Sequence, residues 1–420
     1  MTATALPARY VLRHCSVVAG DGLDIIDDAY LAVQDGKIAA VGSATDAPSL
    51  PTWDLAGKLV LPGFINSHTH IEDCGFKELP FGVPATVNLL FEPDGLRHVR
   101  IRERGRERLV EDIRLAVKQM ISSGIVAFAD YRTGGKAGAQ ILRDAVAGTA
   151  ITCLIYSGHS RLPVQSAQVL EANKAGLDKA QLDDINAALD VADGFAPVWV
   201  NDVTDPALEQ IRDLVRGRGK RLSTHSAASP NYREISIRRT GRSDIDRVIE
   251  HLGPDFVVHM TVATTEEIAK IVDAGIPIAM CPSTMAALGR RIPPYREARA
   301  LGAIIGLGND NAMTTRPDLL AEVGFLSRVV RSMAGDPSVV DAKELLASIT
   351  RDAARVLQLD DVLGTLAPGK NASFVVMDMD SPNLRGSVNR LASVVSRAIV
   401  SDIAAVVIDG KIASGQIKNK

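Results

Sequence analysis

The middle of the sequence alternates short apolar runs with longer amphipathic stretches, and this alternation limits the possible folds. Between two of the runs, Leu208, Ile211 and Val215 recur at helical spacing. Farther on, Thr264 and Glu267 have the spacing of a helix-capping box. Eight strand–helix units in succession predict an α/β fold, a parallel (β/α)8 TIM barrel. The predicted strands cover residues 64–70, 125–130, 151–156, 195–201, 221–225, 256–259, 276–281 and 304–308.

Both termini carry short β-type runs instead. Asp35-Gly36 lies between two runs near the start, and Asp409-Gly410 interrupts one near the end; both dipeptides are typical of tight turns. Neither end alone holds enough strands for an independent sheet. We therefore predict a small β-sandwich built from both chain termini, residues 1–60 and 366–420, beside a barrel domain of residues 61–365.

Composition excludes several classes of partner. The protein has 420 residues, and its 47 basic and 50 acidic residues give a net charge of −3, so neither nucleic acid nor an anionic membrane is expected as a partner. No signal peptide or membrane-spanning run is apparent, and the four cysteines show no paired spacing, which favours a reduced, cytoplasmic protein. With aromatic residues at only 4%, no stacking surface for a nucleobase is predicted.

Histidines stand at the ends of several predicted strands. His68 and His70 end the first, and because side chains at i and i+2 of a strand point the same way, both could reach one metal ion. His225 ends the fifth predicted strand, His259 ends the sixth, and Asp310 follows the eighth. In a barrel, the functional groups gather at these strand ends. Imidazole nitrogens suit zinc and similar divalent metals, so a metal site is predicted there.

These motifs resemble those of the amidohydrolase superfamily, which are metal-dependent hydrolases built on a (β/α)8 barrel. Residues 62–70 closely match the family's first-strand motif, and residues 306–310 resemble its eighth-strand motif. Residues 363–376 resemble the return of the polypeptide into the β-sandwich. The resemblance covers essentially the whole sequence and is greatest to the branch containing cytosine deaminases and triazine hydrolases.

The resemblance implies that His68, His70, His225 and Asp310 bind the metal, with His259 beside the nucleophilic water. Asp310 would accept the proton of this water and pass it to the leaving nitrogen. His259 would orient the water or donate a hydrogen bond to the developing oxyanion. Zinc is the expected metal; manganese, iron and cobalt are the alternatives, because three nitrogens and one oxygen do not choose sharply among them.

Two departures from the familiar members of the superfamily limit the range of substrates that is expected. The deaminases carry a ring-protonating glutamate shortly after the fifth-strand histidine, whereas residues 226–229 here read Ser-Ala-Ala-Ser. Two-metal members carry a bridging lysine or glutamate on the fourth strand, where Asn201 stands here, so one metal ion per protein molecule is predicted. Asn201 either contacts the substrate or closes the strand structurally. Strand alternation is expected to turn Asp202 away from the site.

We therefore expect a metal-dependent amidohydrolase that cleaves a C–N bond of a small amide, carbamate or urea, because an acyclic carbonyl needs no ring-protonating acid. The alternative is an aminohydrolase, a deaminase of a nitrogen heterocycle; a third interpretation is a non-catalytic scaffold, which the complete set of expected metal ligands disfavours. His159 and Arg161, after the third predicted strand, join Asn201 as candidate substrate-binding residues. The resemblance also implies a homo-oligomer.

Two expectations concern the segment after the first strand. Residues 73–106 are predicted to form a long loop that covers the pocket and sets specificity. Arginines recur every second or third residue from Arg97 to Arg108, with glutamates between them. This pattern predicts a solvated, salt-bridged helix face.

Overall fold

A computed structural model describes residues 6–84, 90–91 and 94–417. Its strands are β1 Arg9–Ala19, β2 Asp24–Gln34, β3 Lys37–Ser43, β4 Thr52–Asp54, β5 Lys58–Pro62, β6 Phe64–His70, β7 Ile125–Arg132, β8 Thr152–Ser157, β9 Gly194–Phe195, β10 Arg221–Ser226, β11 Phe256–His259, β12 Ile278–Met280, β13 Ile305–Leu307, β14 Asp310–Asn311, β15 Phe374–Asp378, β16 Ile403–Ile408 and β17 Lys411–Gly415. Its α-helices are Leu96–Arg104, Arg106–Ser122, Gly135–Val146, Ala167–Ala172, Lys179–Leu189, Asp205–Gly217, Pro230–Thr240, Asp244–Arg247, Thr265–Asp273, Pro282–Ala287, Tyr295–Ala300, Leu319–Ala334, Ala342–Ala347, Arg351–Val356 and Arg390–Arg397.

Strands from both termini form one mixed sheet, in the order β17-β16-β15-β5-β1-β2-β3, with β4 beside β1. In this sheet β5 pairs antiparallel with β15, and Pro62 lies opposite Phe374. Side chains alternate between two cores because successive strand residues point to opposite faces. Phe374 packs with Tyr10 in a separate core formed mainly by residues of the terminal strands. Val375 packs into the larger core of the middle region.

The middle region forms a curled parallel sheet with helices between most of its strands, which confirms the predicted α/β class. The strand order is β13-β12-β11-β10-β9-β8-β7-β6-β14. Each of the eight predicted strands overlaps an observed one. After β13, the backbone passes through Gly308 and Asn309 to β14, where Asp310 pairs with Thr69 of β6.

The predicted helix start at Thr264 is confirmed. Its hydroxyl accepts a hydrogen bond from the backbone N–H of Glu267 at 3.2 Å, and the Glu267 carboxylate accepts one from the Thr264 N–H at 2.9 Å. This reciprocal pair satisfies two amide donors that the first helical turn leaves unpaired. Among the described residues, no helix is both long and apolar enough to cross a membrane.

The fourth strand is much shorter than predicted. β9 ends at Phe195, and residues 200–202 form a 3-10 turn where the sequence predicted a strand end. Pro197 lies in this stretch, and because proline has no N–H to donate, it interrupts a strand ladder. Strand alternation therefore does not set the directions of Asn201 and Asp202.

The link between β13 and β14 runs close against the backbone of β6. A Cβ atom at Gly308 would lie 2.6 Å from the carbonyl oxygen of His68 and 2.7 Å from its nitrogen, so Gly308→Ala must displace backbone. We expect this variant to lose about 2 kcal/mol or more of unfolding free energy in urea denaturation. Gly217→Ala is the matched control, because no atom lies within 4 Å of its added Cβ, and it should be neutral or stabilising. Equal unfolding midpoints for Gly308→Ala and the unmodified protein would contradict this close approach.

Candidate metal and active site

Four buried side chains converge where the parallel strands end. His68 and His70 come from β6, His225 from β10 and Asp310 from β14, and none is more than 6% exposed. Their ligand atoms all lie within 4.8 Å of one another. The Nε2 atom of His68 lies 3.4 Å from Oδ1 of Asp310 and 3.2 Å from Nε2 of His225. The structure thus brings together the four residues predicted to bind a metal.

Hydrogen bonds to backbone carbonyls orient two of these imidazoles. Nδ1 of His70 lies 3.1 Å from the carbonyl oxygen of Tyr131, and Nδ1 of His225 lies 3.0 Å from that of Val198. Because a carbonyl only accepts, each Nδ1 carries the proton and each Nε2 presents its lone pair to the cluster. Burial holds the pKa of both histidines well below its ordinary value. Neutral imidazoles and a carboxylate are the ligands of a catalytic divalent metal, so these residues fit one.

His259, at the end of β11, packs beside this cluster. Its ring stacks on that of His225 with centroids 4.7 Å apart, and its Nδ1 is buried with no hydrogen-bond partner in the described part of the structure. His259 and Asp310 both have left-handed backbone conformations, with φ of 82° and 58°. Such conformations cost about 1–3 kcal/mol each and concentrate at functional sites. Here they occur at the two residues predicted to be catalytic.

A pocket leads from the cluster towards solvent and encloses about 1100 Å³, its open mouth included. His225, His259 and Asp310 line its inner end. On its wall, the ring of Trp199 stacks on that of Tyr232, with centroids 4.1 Å apart and planes 17° apart. The low aromatic content of the sequence therefore does not exclude a pair of aromatic rings on the pocket wall; whether they stack on a nucleobase stays untested.

The three residues predicted to bind substrate do not line this pocket. The side chain of Asn201 is engaged within the protein: Nδ2 donates to the carbonyl oxygen of Tyr232 at 2.7 Å, and Oδ1 accepts from Arg247 at 2.9 Å. These contacts favour the structural interpretation of Asn201. Arg161 is exposed at the surface, and His159 lines a smaller neighbouring cavity.

Asp202 lines the pocket, although strand alternation was expected to turn it away. That expectation is wrong because residues 200–202 form a 3-10 turn, in which side chains do not alternate between two faces. The pocket wall therefore includes a carboxylate besides Asp310. The proline at position 197 was the only signal in the sequence that the strand ends early.

A buried ion network lies beside the pocket. Arg97 donates through Nε to Oδ2 of Asp73 at 2.9 Å and through Nη2 to Glu72. Arg132 of β7 pairs with Glu72 at 3.3 Å. Asp73 also accepts a hydrogen bond from Nδ2 of Asn311 in β14 at 2.8 Å. The prediction that Arg97 lies on a solvated helix face is wrong: the side chain is buried because two carboxylates near the end of β6 bind it.

Part of the segment predicted to cover the pocket does line it. Phe91, Arg97 and His98 contribute to the wall. Arg97 and His98 belong to the helix Leu96–Arg104, so this part of the segment is a helix and not the predicted loop. Residues 85–89 and 92–93 of the segment lie outside the described residues.

His159 gives a test of burial next to the pocket. Its ring packs edge-on against Phe195, Nε2 has no partner in the described structure, and burial lowers its pKa to about 4. Since the unfolded state takes up a proton near pH 6.5 and the folded one does not, His159 costs stability as the pH falls from 6.5 towards 4. We expect that lowering the pH from 7 to 5 reduces the unfolding free energy of the unmodified protein by about 2 kcal/mol more than that of His159→Phe. Urea denaturation of both proteins at the two pH values measures this difference. Parallel pH profiles would contradict a buried, neutral His159.

The sequence profile of the amidohydrolase family matches residues 59–413. The chain belongs to the amidohydrolase family. Family and relatives together make it a hydrolase that acts on carbon–nitrogen bonds other than peptide bonds.

Relatives of this amidohydrolase are named as aminohydrolases and deaminases. A putative aminohydrolase from Methanothermobacter thermautotrophicus is 32% identical over 304 residues, covering 72% of this chain and 76% of that protein. A 5-methylthioadenosine/S-adenosylhomocysteine deaminase from Moorella thermoacetica is 27% identical over 428 residues, covering 98% of this chain and 95% of its own.

Solved structures share the fold of this amidohydrolase. An adenosine deaminase from Xanthomonas campestris with bound zinc has a TM-score of 0.85 at 21% identity, covering 99% of this chain and 95% of that one. Atrazine chlorohydrolase from Arthrobacter aurescens, complexed with zinc, has a TM-score of 0.81 at 20% identity, covering 98% and 96%. At such identities the likeness establishes the fold and not the substrate.

Proposed function

We propose that this amidohydrolase hydrolyses a C–N bond of a small amide, carbamate or urea, with one divalent metal ion held by His68, His70, His225 and Asp310. The observation that carries the proposal is this buried donor set at the inner end of an open pocket. Zinc is the proposed metal, since the zinc-bound fold neighbours support it. A metal bound there supplies Lewis acidity and makes water more acidic.

Asp310 is the proposed general base and acid. Burial alone would raise the pKa of its carboxyl, but the hydrogen bond with His68 holds it below the ordinary value. Asp310 is therefore ionised at neutral pH and can accept a proton from the attacking water. As the carbonyl carbon–nitrogen bond breaks, the same carboxyl gives this proton to the leaving nitrogen.

His259 and the aromatic pair are proposed to hold the substrate. Burial keeps the pKa of His259 well below its ordinary value, so the neutral ring donates a hydrogen bond to the developing oxyanion without losing its proton. The stacked rings of Trp199 and Tyr232 line the pocket and are proposed to contact a planar group of the substrate.

Deamination of a nitrogen heterocycle is the second candidate. Two observations support it: relatives named as deaminases, and a pocket with an aromatic wall. Asp202 lines that pocket and is a candidate ring-protonating acid. Against this candidate, residues 226–229 contain no carboxylate after His225. Both candidates act on small molecules.

Metal analysis combined with an ammonia-release screen tests the proposal. The protein and its Asp310→Ala variant are analysed for metal and assayed with amides, ureas, carbamates and aminated heterocycles. About one metal per protein molecule with cleavage of acyclic C–N bonds is the expected result. Ammonia release from a ring compound would establish the deaminase instead. Two metals per molecule would contradict the single-metal site. A protein that binds no metal and shows no turnover would favour the non-catalytic scaffold.

The finer architecture is part of the proposal. We infer a complete (β/α)8 barrel, residues 61–365, and a β-sandwich of residues 1–60 and 366–420. The pairing of β14 with β6 and the separate core of the terminal sheet support this division. A cytoplasmic homo-oligomer stays a prediction, which light scattering after gel filtration and cell fractionation would check.

A further inference from the structure

Three arginines line the pocket, and two of them are neutralised by buried carboxylates. Arg97 pairs with Glu72 and Asp73, and Arg132 pairs with Glu72. Arg290 has neither an ion pair nor a side-chain hydrogen bond with any of the described residues, yet it lines the same pocket. In the part of the chain that the structure describes, one positive charge on the wall therefore has no ionic partner.

Arg290 is placed by the turn that follows the helix Pro282–Ala287, where its backbone N–H donates to the carbonyl oxygen of Met285 at 2.8 Å. The side chain is mostly buried, and this burial lowers the pKa of its guanidinium. Arginine still remains charged at neutral pH. A cation removed from water without a counter-ion is costly, and a bound anion would offset that cost.

Asp310 lines the same pocket as Arg290, as do the stacked rings of Trp199 and Tyr232. A guanidinium presents a planar fork that matches a carboxylate with two parallel hydrogen bonds. The carboxylate of Asp202 on the same wall would oppose a second negative group.

We propose that Arg290 binds a single carboxylate of the substrate, so that the compound hydrolysed is an anionic amide or urea such as an N-acyl or N-carbamoyl amino acid with a planar side chain. Because Arg290 and Asp310 line one pocket, a single small substrate can present its carboxylate to Arg290 and its scissile nitrogen to Asp310. This inference rests on the proposed C–N hydrolysis and deepens it by naming the class of substrate.

A binding measurement tests the inference without turnover. Phenylacetate and phenylacetamide have the same planar group and differ in charge, and calorimetry on the metal-loaded protein compares them. We expect the unmodified protein to bind phenylacetate more tightly than phenylacetamide. In Arg290→Met, the affinity for phenylacetate should fall at least about tenfold, while the affinity for phenylacetamide stays unchanged. Arg290→Lys should keep part of the preference. Arg291→Met, an exposed arginine at the next position, is the matched control and should bind as the unmodified protein does.

Turnover separates the inference from the function on which it rests. N-carbamoylphenylalanine and its methylamide are assayed for kcat/KM with the same variants, whose folding is checked by thermal unfolding. We expect Arg290→Met to lower kcat/KM about 100-fold for the anionic compound and less than threefold for the neutral one. Equal binding of phenylacetate and phenylacetamide by the unmodified protein, or equal losses for both substrates, would overturn the inference. Activity confined to neutral C–N compounds would also overturn it while leaving the proposed function intact. If no C–N compound is cleaved, the proposed function fails, whatever phenylacetate does.

Discussion

Asp310→Asn is expected to lower kcat by about 10³- to 10⁴-fold while the protein stays folded. The amide keeps the size of the carboxylate but cannot accept the proton of the attacking water. It is also a poorer metal ligand, since it carries no negative charge. Oδ1 of Asp310 lies 3.4 Å from Nε2 of His68 and 3.6 Å from Nε2 of His70. The substitution should therefore affect the metal-binding cluster and not the terminal sheet.

Steady-state kinetics with saturating metal, metal analysis and circular dichroism together measure this effect. Asp336→Asn, which changes an exposed aspartate outside the pocket, is the matched control and should retain full activity. A variant that holds one metal per molecule and turns over within tenfold of the unmodified protein would refute the role of Asp310.

Arg97→Met is expected to lower the free energy of unfolding by about 3–5 kcal/mol at neutral pH. The side chain is only 3% exposed and is bound by Glu72 and Asp73, so the substitution leaves two buried carboxylates short of a counter-charge. Asp73 keeps its hydrogen bond from Asn311, and Glu72 keeps its ion pair with Arg132. The remaining contacts limit the loss but do not replace the missing charge.

Urea denaturation provides the measurement, and Arg100→Met in the same helix is the control. Arg100 pairs with Glu103 at 3.0 Å, but both side chains are more than half exposed, so this pair is expected to contribute less than about 1 kcal/mol. The KM of Arg97→Met should also rise, because the helix that it anchors contributes to the pocket wall. Similar losses of stability in the two variants would contradict a buried network.

The sequence predicted that the four candidate metal ligands lie together, because their positions at strand ends follow from local rules. Residues at strand ends in a parallel α/β sheet share one edge, so His68, His225 and Asp310 could be placed together without knowing the packing. The position of Asp202 depended on where the fourth strand stops. A single proline decided that point, and strand periodicity does not detect it.

Contacts between distant parts of the sequence were beyond such rules. The stacking of Trp199 on Tyr232 and the pairing of Arg97 with Asp73 depend on how loops and helices pack at the end of the parallel sheet. Charge patterning placed Arg97 with its exposed neighbours because the carboxylates that bury it lie more than twenty positions away in the sequence. That Arg290 has no ion pair with the described residues is likewise visible only once its surroundings are known.

The position of β5 has a consequence for how the protein reaches its folded state. β5 lies between the N-terminal β1 and the C-terminal β15, and the strands that meet at Pro62 and Phe374 are about 300 positions apart. Contacts of such high contact order form late, since a long loop must close first. During synthesis one edge of β5 stays open until the C-terminal strands arrive, and open edges invite association with other protein molecules. Folding yield should therefore depend on the last strands made more than on the residues that perform the chemistry.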